Sequence, residues 1–131
     1  MKLDTWLRWI VFPGVLVGFM LHAYTCFLVP DGGPNGFTSG LFALSILPYL
    51  ACLIAGLRHS CWPLMAACAI LPLLLLDILA FHEAFIAPST STSSLVLLIV
   101  PVINLVVLPL GFFVGWIAFV LLRLSVTEKA L

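Results

Sequence analysis

The chain has 131 residues, of which 64% are hydrophobic and 8% charged, with five basic residues against five acidic ones and a formal net charge of zero. An average soluble domain is roughly 45–50% apolar and 25% charged, so this composition excludes an ordinary water-soluble fold and points to lipid as the solvent. The few, scattered cations also exclude the basic footprint of a nucleic-acid-binding protein.

Crossing about 30 Å of hydrocarbon takes about 20 helical residues. Four stretches meet that length, at about residues 9–29, 37–57, 62–87 and 95–122, and only the third contains Asp, Glu, Lys or Arg. Helices are expected rather than barrel strands, because the runs lack period-2 alternation and a spanning helix satisfies its own backbone. The connections are short, so the expected fold is all-α: a single integral membrane four-helix bundle over residues 1–131, antiparallel and up-and-down.

The first span begins at about Trp9 and follows Lys2, Trp6 and Arg8. It exceeds the roughly 7–15 apolar residues of a cleavable signal and no small-x-small site follows it, so a retained helix is expected. Gly14 and Gly18 make a small-xxx-small pair, which lets a neighbouring backbone come close; Pro13 interrupts the span and His22 lies toward its far end. The next stretch, "PDGGPNGFTSG" from Pro30 to Gly40, is dense in turn residues and reads as a loop. Asn35 there is followed by Gly36 and Phe37 and is no glycosylation acceptor.

The second span carries Ser45, Pro48 and Tyr49, and a second small pair, Ala51 and Ala55. Arg58, His59 and Cys61 lie in the short connection after it. Two such ligands without a second pair do not make a zinc site, and no metal or other cofactor is expected. Cys26, Cys52, Cys61 and Cys68 are expected to be small buried fillers rather than a disulfide frame.

The third span holds "PLLLLDILAFHEAF", Pro72 to Phe85, with Asp77 in the middle of a leucine run. The uncharged loop "APSTSTSS", Ala87 to Ser94, follows, and Ser93 or Ser94 is placed to cap the fourth helix. That helix carries Pro101, Asn104, Pro109 and the small pair Gly111 and Gly115. Prolines at 13, 48, 72, 101 and 109 release carbonyls that need partners in lipid, so kinks or a cavity are expected near them.

All five basic residues, Lys2, Arg8, Arg58, Arg123 and Lys129, fall before the first span, in the second connection or after the fourth span. By the positive-inside rule both termini are cytoplasmic, and Trp6, Trp9 and Trp62 fall at the same boundary. The expected location is a multi-pass protein of a bacterial inner membrane. The three small pairs then lie in the cytoplasmic half, where helices one and four are expected to be neighbours.

At about 1.5 Å per residue, Asp77 and Asn104 fall near the midplane, and His22, Ser45, Tyr49, His82 and Glu83 fall between there and the outer surface. A carboxylate at that depth costs about 2.5–3.5 kcal/mol on insertion scales, so Asp77 should face the interior and either find a partner or take up a proton. Asn104 is the leading partner by depth and His22 the second. His22, Tyr49, Asp77, His82, Glu83 and Asn104 are therefore the candidate polar intramembrane site. Asp77 and His82 stand about 140° apart on an ideal helix, and Asp77 and Glu83 about 120° the other way. The three cannot share one narrow pocket, and His82 and Glu83 can reach the interface by snorkelling.

Catalysis finds no support in the pattern. "HEAFI" starts like H-E-x-x-H but Ile86 stands at the second ligand position, and no nucleophile elbow, carboxylate dyad or phosphate loop is present. Ser45, His22 and Asp77 have no spacing that marks a triad. The expected function is that of a non-catalytic partner-binding or complex subunit, for example an immunity or accessory factor, whose partner is another membrane protein or a second copy in the bilayer. The alternative is an oligomeric proton- or cation-coupled small-molecule transporter using the midplane carboxylate. Small four-helix multidrug exporters use a carboxylate this way, but theirs lies in the first helix, so the parallel is architectural.

Overall fold

A computed structural model describes residues 2–28, 34–86 and 95–128. Among these residues there are four long α-helices, α1 (Lys2–Ala23), α2 (Gly36–Leu57), α3 (Trp62–Phe81) and α4 (Val96–Glu128), and no strands. Two of the helices continue into a π-helical turn, α1 into Tyr24–Leu28 and α3 into His82–Ile86. Four segments, Thr5–Leu28, Gly36–Leu57, Trp62–Ile86 and Val96–Ser125, are long and apolar enough to cross a membrane. The chain is thus a multi-pass integral membrane protein.

The helices outrun the apolar windows at both ends of the chain, α1 beginning at Lys2 and α4 ending at Glu128. Hydropathy marks where hydrocarbon stops, whereas a helix ends only where its hydrogen-bond ladder is broken or capped. The start of α2 illustrates the second rule. The Asn35 side chain accepts from the Thr38 amide at 2.9 Å, and the Thr38 hydroxyl accepts from the Asn35 amide at 3.0 Å, a reciprocal capping box. Gly36 to Gly40, which the turn-rich composition put in the loop although the apolar span was expected from about residue 37, are therefore the first residues of α2. The proposed caps Ser93 and Ser94, the rest of the Ala87–Ser94 loop, and Lys129 lie outside the described residues.

The core is built on α3, which touches α1, α2 and α4. Val11, Cys52, Ala66, Ala69, Ile70 and Leu73 are fully buried there. Among the described residues α1 and α4 make no contact, so the expectation that they are neighbours is wrong. The small pairs point elsewhere. A Cβ on Gly111 would stand 2.5 Å from the Cα of Ala69, and one on Gly115 2.5 Å from the Cα of Met65, so this pair lays α4 against α3. Gly14 meets Ile70 and Leu74 of α3, and Gly18 meets the ring of Tyr49 on α2. On α2 the close approach is made by Gly56, where a Cβ would lie 2.9 Å from Cγ1 of Val11. Ala55 is buried in the core, but Ala51 is only half-buried and edges a surface groove.

All five internal prolines sit within continuous helices. The four cysteines are free; Cys26 and Cys52 are buried, whereas Cys61 and Cys68 are only partly so and do not act as core fillers.

Candidate functional site

Helical phase delivers one polar side chain from each helix to the same level. On α1, His22 shares a stripe with Gly18, Gly14 and Val11, at successive separations of four, four and three residues; on α4, Asn104 shares one with Gly111 and Gly115. The small residues bring these faces against α2 and α3, and the polar residues arrive with them. His22, Tyr49, Asp77 and Asn104 are 8%, 1%, 3% and 0% exposed, respectively.

All three partners converge on the Asp77 carboxyl group. His22 Nε2 lies 2.9 Å from Oδ2, and the Tyr49 hydroxyl donates to that same oxygen. Asn104 Nδ2 donates to Oδ1 at 2.8 Å. The His22 and Tyr49 rings meet edge to face with centroids 5.6 Å apart, which fixes both relative to the carboxyl group. A Cβ on Gly18 would fall inside the volume of the Tyr49 ring, so this glycine makes the ring's position possible. Removing three polar side chains and a carboxyl group from water without partners would be costly, and here each is paired. Asn104 Oδ1 is the exception, buried with no partner.

Beside the cluster lies a cavity of about 40 Å³ lined by His22, Thr25, Ser45, Asp77, Phe81 and Pro101, among others. About 10–15 Å³ accommodates one water, so the space suits two or three waters and no larger molecule. Both π-helical turns begin shortly after a cluster residue, the first at Tyr24 after His22 and the second at His82 after Asp77. In the first, the Thr25 hydroxyl donates to the His22 carbonyl at 3.1 Å, serving an acceptor whose helical bond the widened turn disturbs. Ser45 donates to the Leu41 carbonyl of its own helix at 2.8 Å.

His82 and Glu83 are not brought to Asp77. His82 is exposed and Glu83 half-buried in the second π-helical turn, nearer the end of the span. Thr25 and Gly18 were missed as supports of the site. The available signal was their spacing from His22, three residues after it and four before it, which puts both on its side of the helix. Among the described residues no group of three or more His, Cys, Asp and Glu side chains could hold a metal ion.

No family model, curated protein or solved structure matches the chain. What the cluster can do follows from its own geometry: it ties four helices through one carboxyl group, and it presents no nucleophile to a cavity large enough for an organic substrate.

Proposed function

We propose that this chain is a non-catalytic partner-binding or accessory subunit of a bacterial inner membrane, an up-and-down bundle with both termini cytoplasmic. The observation that carries this reading is the closure of the Asp77 cluster. Every side chain in it bonds to another helix of the same chain, with only Asn104 Oδ1 left over, beside a cavity of about 40 Å³. A polar lock of this kind leaves recognition to the outside of the bundle. The α4 surface is the natural candidate, since α4 is the least buried of the four spans and exposes Val102, Val106, Leu110, Phe113, Val114 and Ile117. In lipid such a face associates by close packing and occasional hydrogen bonds, with a second membrane protein or with another copy. The up-and-down topology is supported by residue pairings: Gly18 with Tyr49 and Val11 with Gly56, then Ala69 with Gly111 and Met65 with Gly115.

The transport alternative is favoured by one feature, the small cavity whose mostly apolar lining includes Asp77, His22 and Ser45. It has room for protons, water or a bare cation. Extraction in mild detergent followed by identification of what co-purifies separates the two. The partner reading predicts a stoichiometric membrane protein that is lost when Val106→Ser or Leu110→Ser alters the α4 face while the chain stays folded. A monodisperse oligomer without partner, whose flux in proteoliposomes is abolished by Asp77→Asn at normal expression, would replace it with transport. Turnover of a substrate by the purified chain alone would overturn both.

A further inference from the structure

At the end of the bundle away from the Asp77 cavity, two arginines meet. Arg8 Nη2 on α1 donates to the Arg58 carbonyl at 3.2 Å, where α2 ends. Arg8 Nε is buried with no hydrogen-bond partner. The Arg58 side chain is exposed, and its guanidinium carbon stands 5.2 Å from the ring centroid of Trp62, the first residue of α3. A cation over an indole face is attracted by the ring quadrupole and held in one orientation.

Each arginine heads an apolar groove. One, of about 250 Å³, is lined by Ala51, Ile54, Ala55, Arg58, Trp62 and Phe112, between α2 and α4. The other, of about 470 Å³, is lined by Thr5, Arg8, Trp9, Phe12, Pro13 and Leu16 along α1. The same sequence of chemistry recurs in both: a guanidinium and an indole at the mouth, then hydrocarbon surface running into the span. A partner helix would match the guanidinium only with an acidic residue placed at that level. A glycerophospholipid matches it end to end, with phosphate at the arginine and an acyl chain below.

We propose that these two grooves bind anionic glycerophospholipid, its phosphate on Arg58 or Arg8 and one acyl chain laid along the groove. Net negative charge is required because the contacts the arginines make within the fold, a carbonyl and an indole face, carry no formal charge. In sequence, moreover, the five basic residues Lys2, Arg8, Arg58, Arg123 and Lys129 stand against Asp4 and Glu128 toward this end. A basic residue near an anionic surface strengthens attachment by about fivefold.

The proposal is independent of the protein's partner and of its sidedness, and it is tested on the whole chain. The purified protein in neutral detergent is titrated with dioleoyl phosphatidylglycerol or dioleoyl phosphatidylcholine, and bound lipid is counted by native mass spectrometry. Up to about two phosphatidylglycerols per chain are expected, at about fivefold lower concentration than phosphatidylcholine. Arg58→Gln should remove that preference at one site, and Ala51→Leu, which fills the groove without changing charge, should weaken binding of both lipids there. Arg123→Gln should leave retention unchanged. Equal retention of the two lipids overturns the proposal, as does a loss with Arg123→Gln matching that with Arg58→Gln, which would mean diffuse surface attraction. Arg8→Gln also removes a bond of the fold; if it lowers the thermal midpoint in plain detergent, the Arg58 and Ala51 variants decide.

Discussion

At the level of Asp77 the helices are joined by hydrogen bonds, whereas two turns along, where Gly111 faces Ala69 and Gly14 faces Ile70, they are joined by close approach of nearly bare backbone. Lipid tails are as apolar as leucine, so burying leucine in this bundle gains little. What remains is dispersion between tightly fitted surfaces and hydrogen bonds between side chains. These two demand opposite spacings. A tyrosine ring and an imidazole hold helices apart by their own size, and a glycine seam draws them together. The chain separates the two along its axis, and each level can be broken without touching the other.

Asp77→Ala should have the largest effect. It leaves the His22, Tyr49 and Asn104 side chains buried with their common partner gone, and breaking one side of a buried pair costs about 3–5 kcal/mol. Unfolding in mixed micelles, followed by helix content, measures it. Asp77→Asn keeps an acceptor for Asn104 and a polar group for Tyr49 and should lose about half as much. If Asp77→Ala costs less than about 1 kcal/mol, the polar level is incidental and the glycine seam holds the bundle alone.

Gly115→Val tests the other level. Its Cβ would meet the Cα and amide of Met65, which cannot rotate away as a side-chain end could, so α4 must lift from α3. Overpacking of this kind costs about 1–3 kcal/mol. The expected signature is lost stability with the Asp77–Asn104 bond retained, visible as a second-site Asn104→Ala penalty of the same size in Gly115→Val as in the parent. A penalty that vanishes in the double variant would show that the two levels are one cooperative unit.

The four spans were legible because hydropathy and length are properties of each segment by itself. Depth was legible too, since rise per residue is fixed, and it set Asp77 level with Asn104. Lateral order was not. A small-xxx-small pair announces a close approach but not the helix approached, and so Gly14 and Gly18 were matched with Gly111 and Gly115 when α3 and Tyr49 were their neighbours. The π-helical turns carry no pattern that composition registers, and the Asn35–Thr38 capping box was hidden inside a stretch rich in glycine and proline. His82 and Glu83 entered the candidate site by depth, and their angles on the helix, about 140° and 120° from Asp77, had already set them apart from it.

Gly18 is the residue at which the comparison is least settled by position, because by spacing it belongs to the glycine seam and by contact to the polar level. Gly18→Ala should push the Tyr49 ring off the Asp77 carboxyl group, at about 1–2 kcal/mol. In a Tyr49→Ala background the same methyl group enters vacated space and should cost nothing, or gain a few tenths of a kcal/mol from helix propensity. The coupling in that double-mutant cycle should reach about 1 kcal/mol, above the roughly 0.3–0.5 kcal/mol scatter of independent sites. Gly14→Ala, one turn away on the same stripe but facing Ile70 and Leu74, should be additive with Tyr49→Ala. If both glycines prove additive, Gly18 is a seam residue like its neighbour, and the Tyr49 ring is held by its hydroxyl and by His22 without help from the α1 backbone.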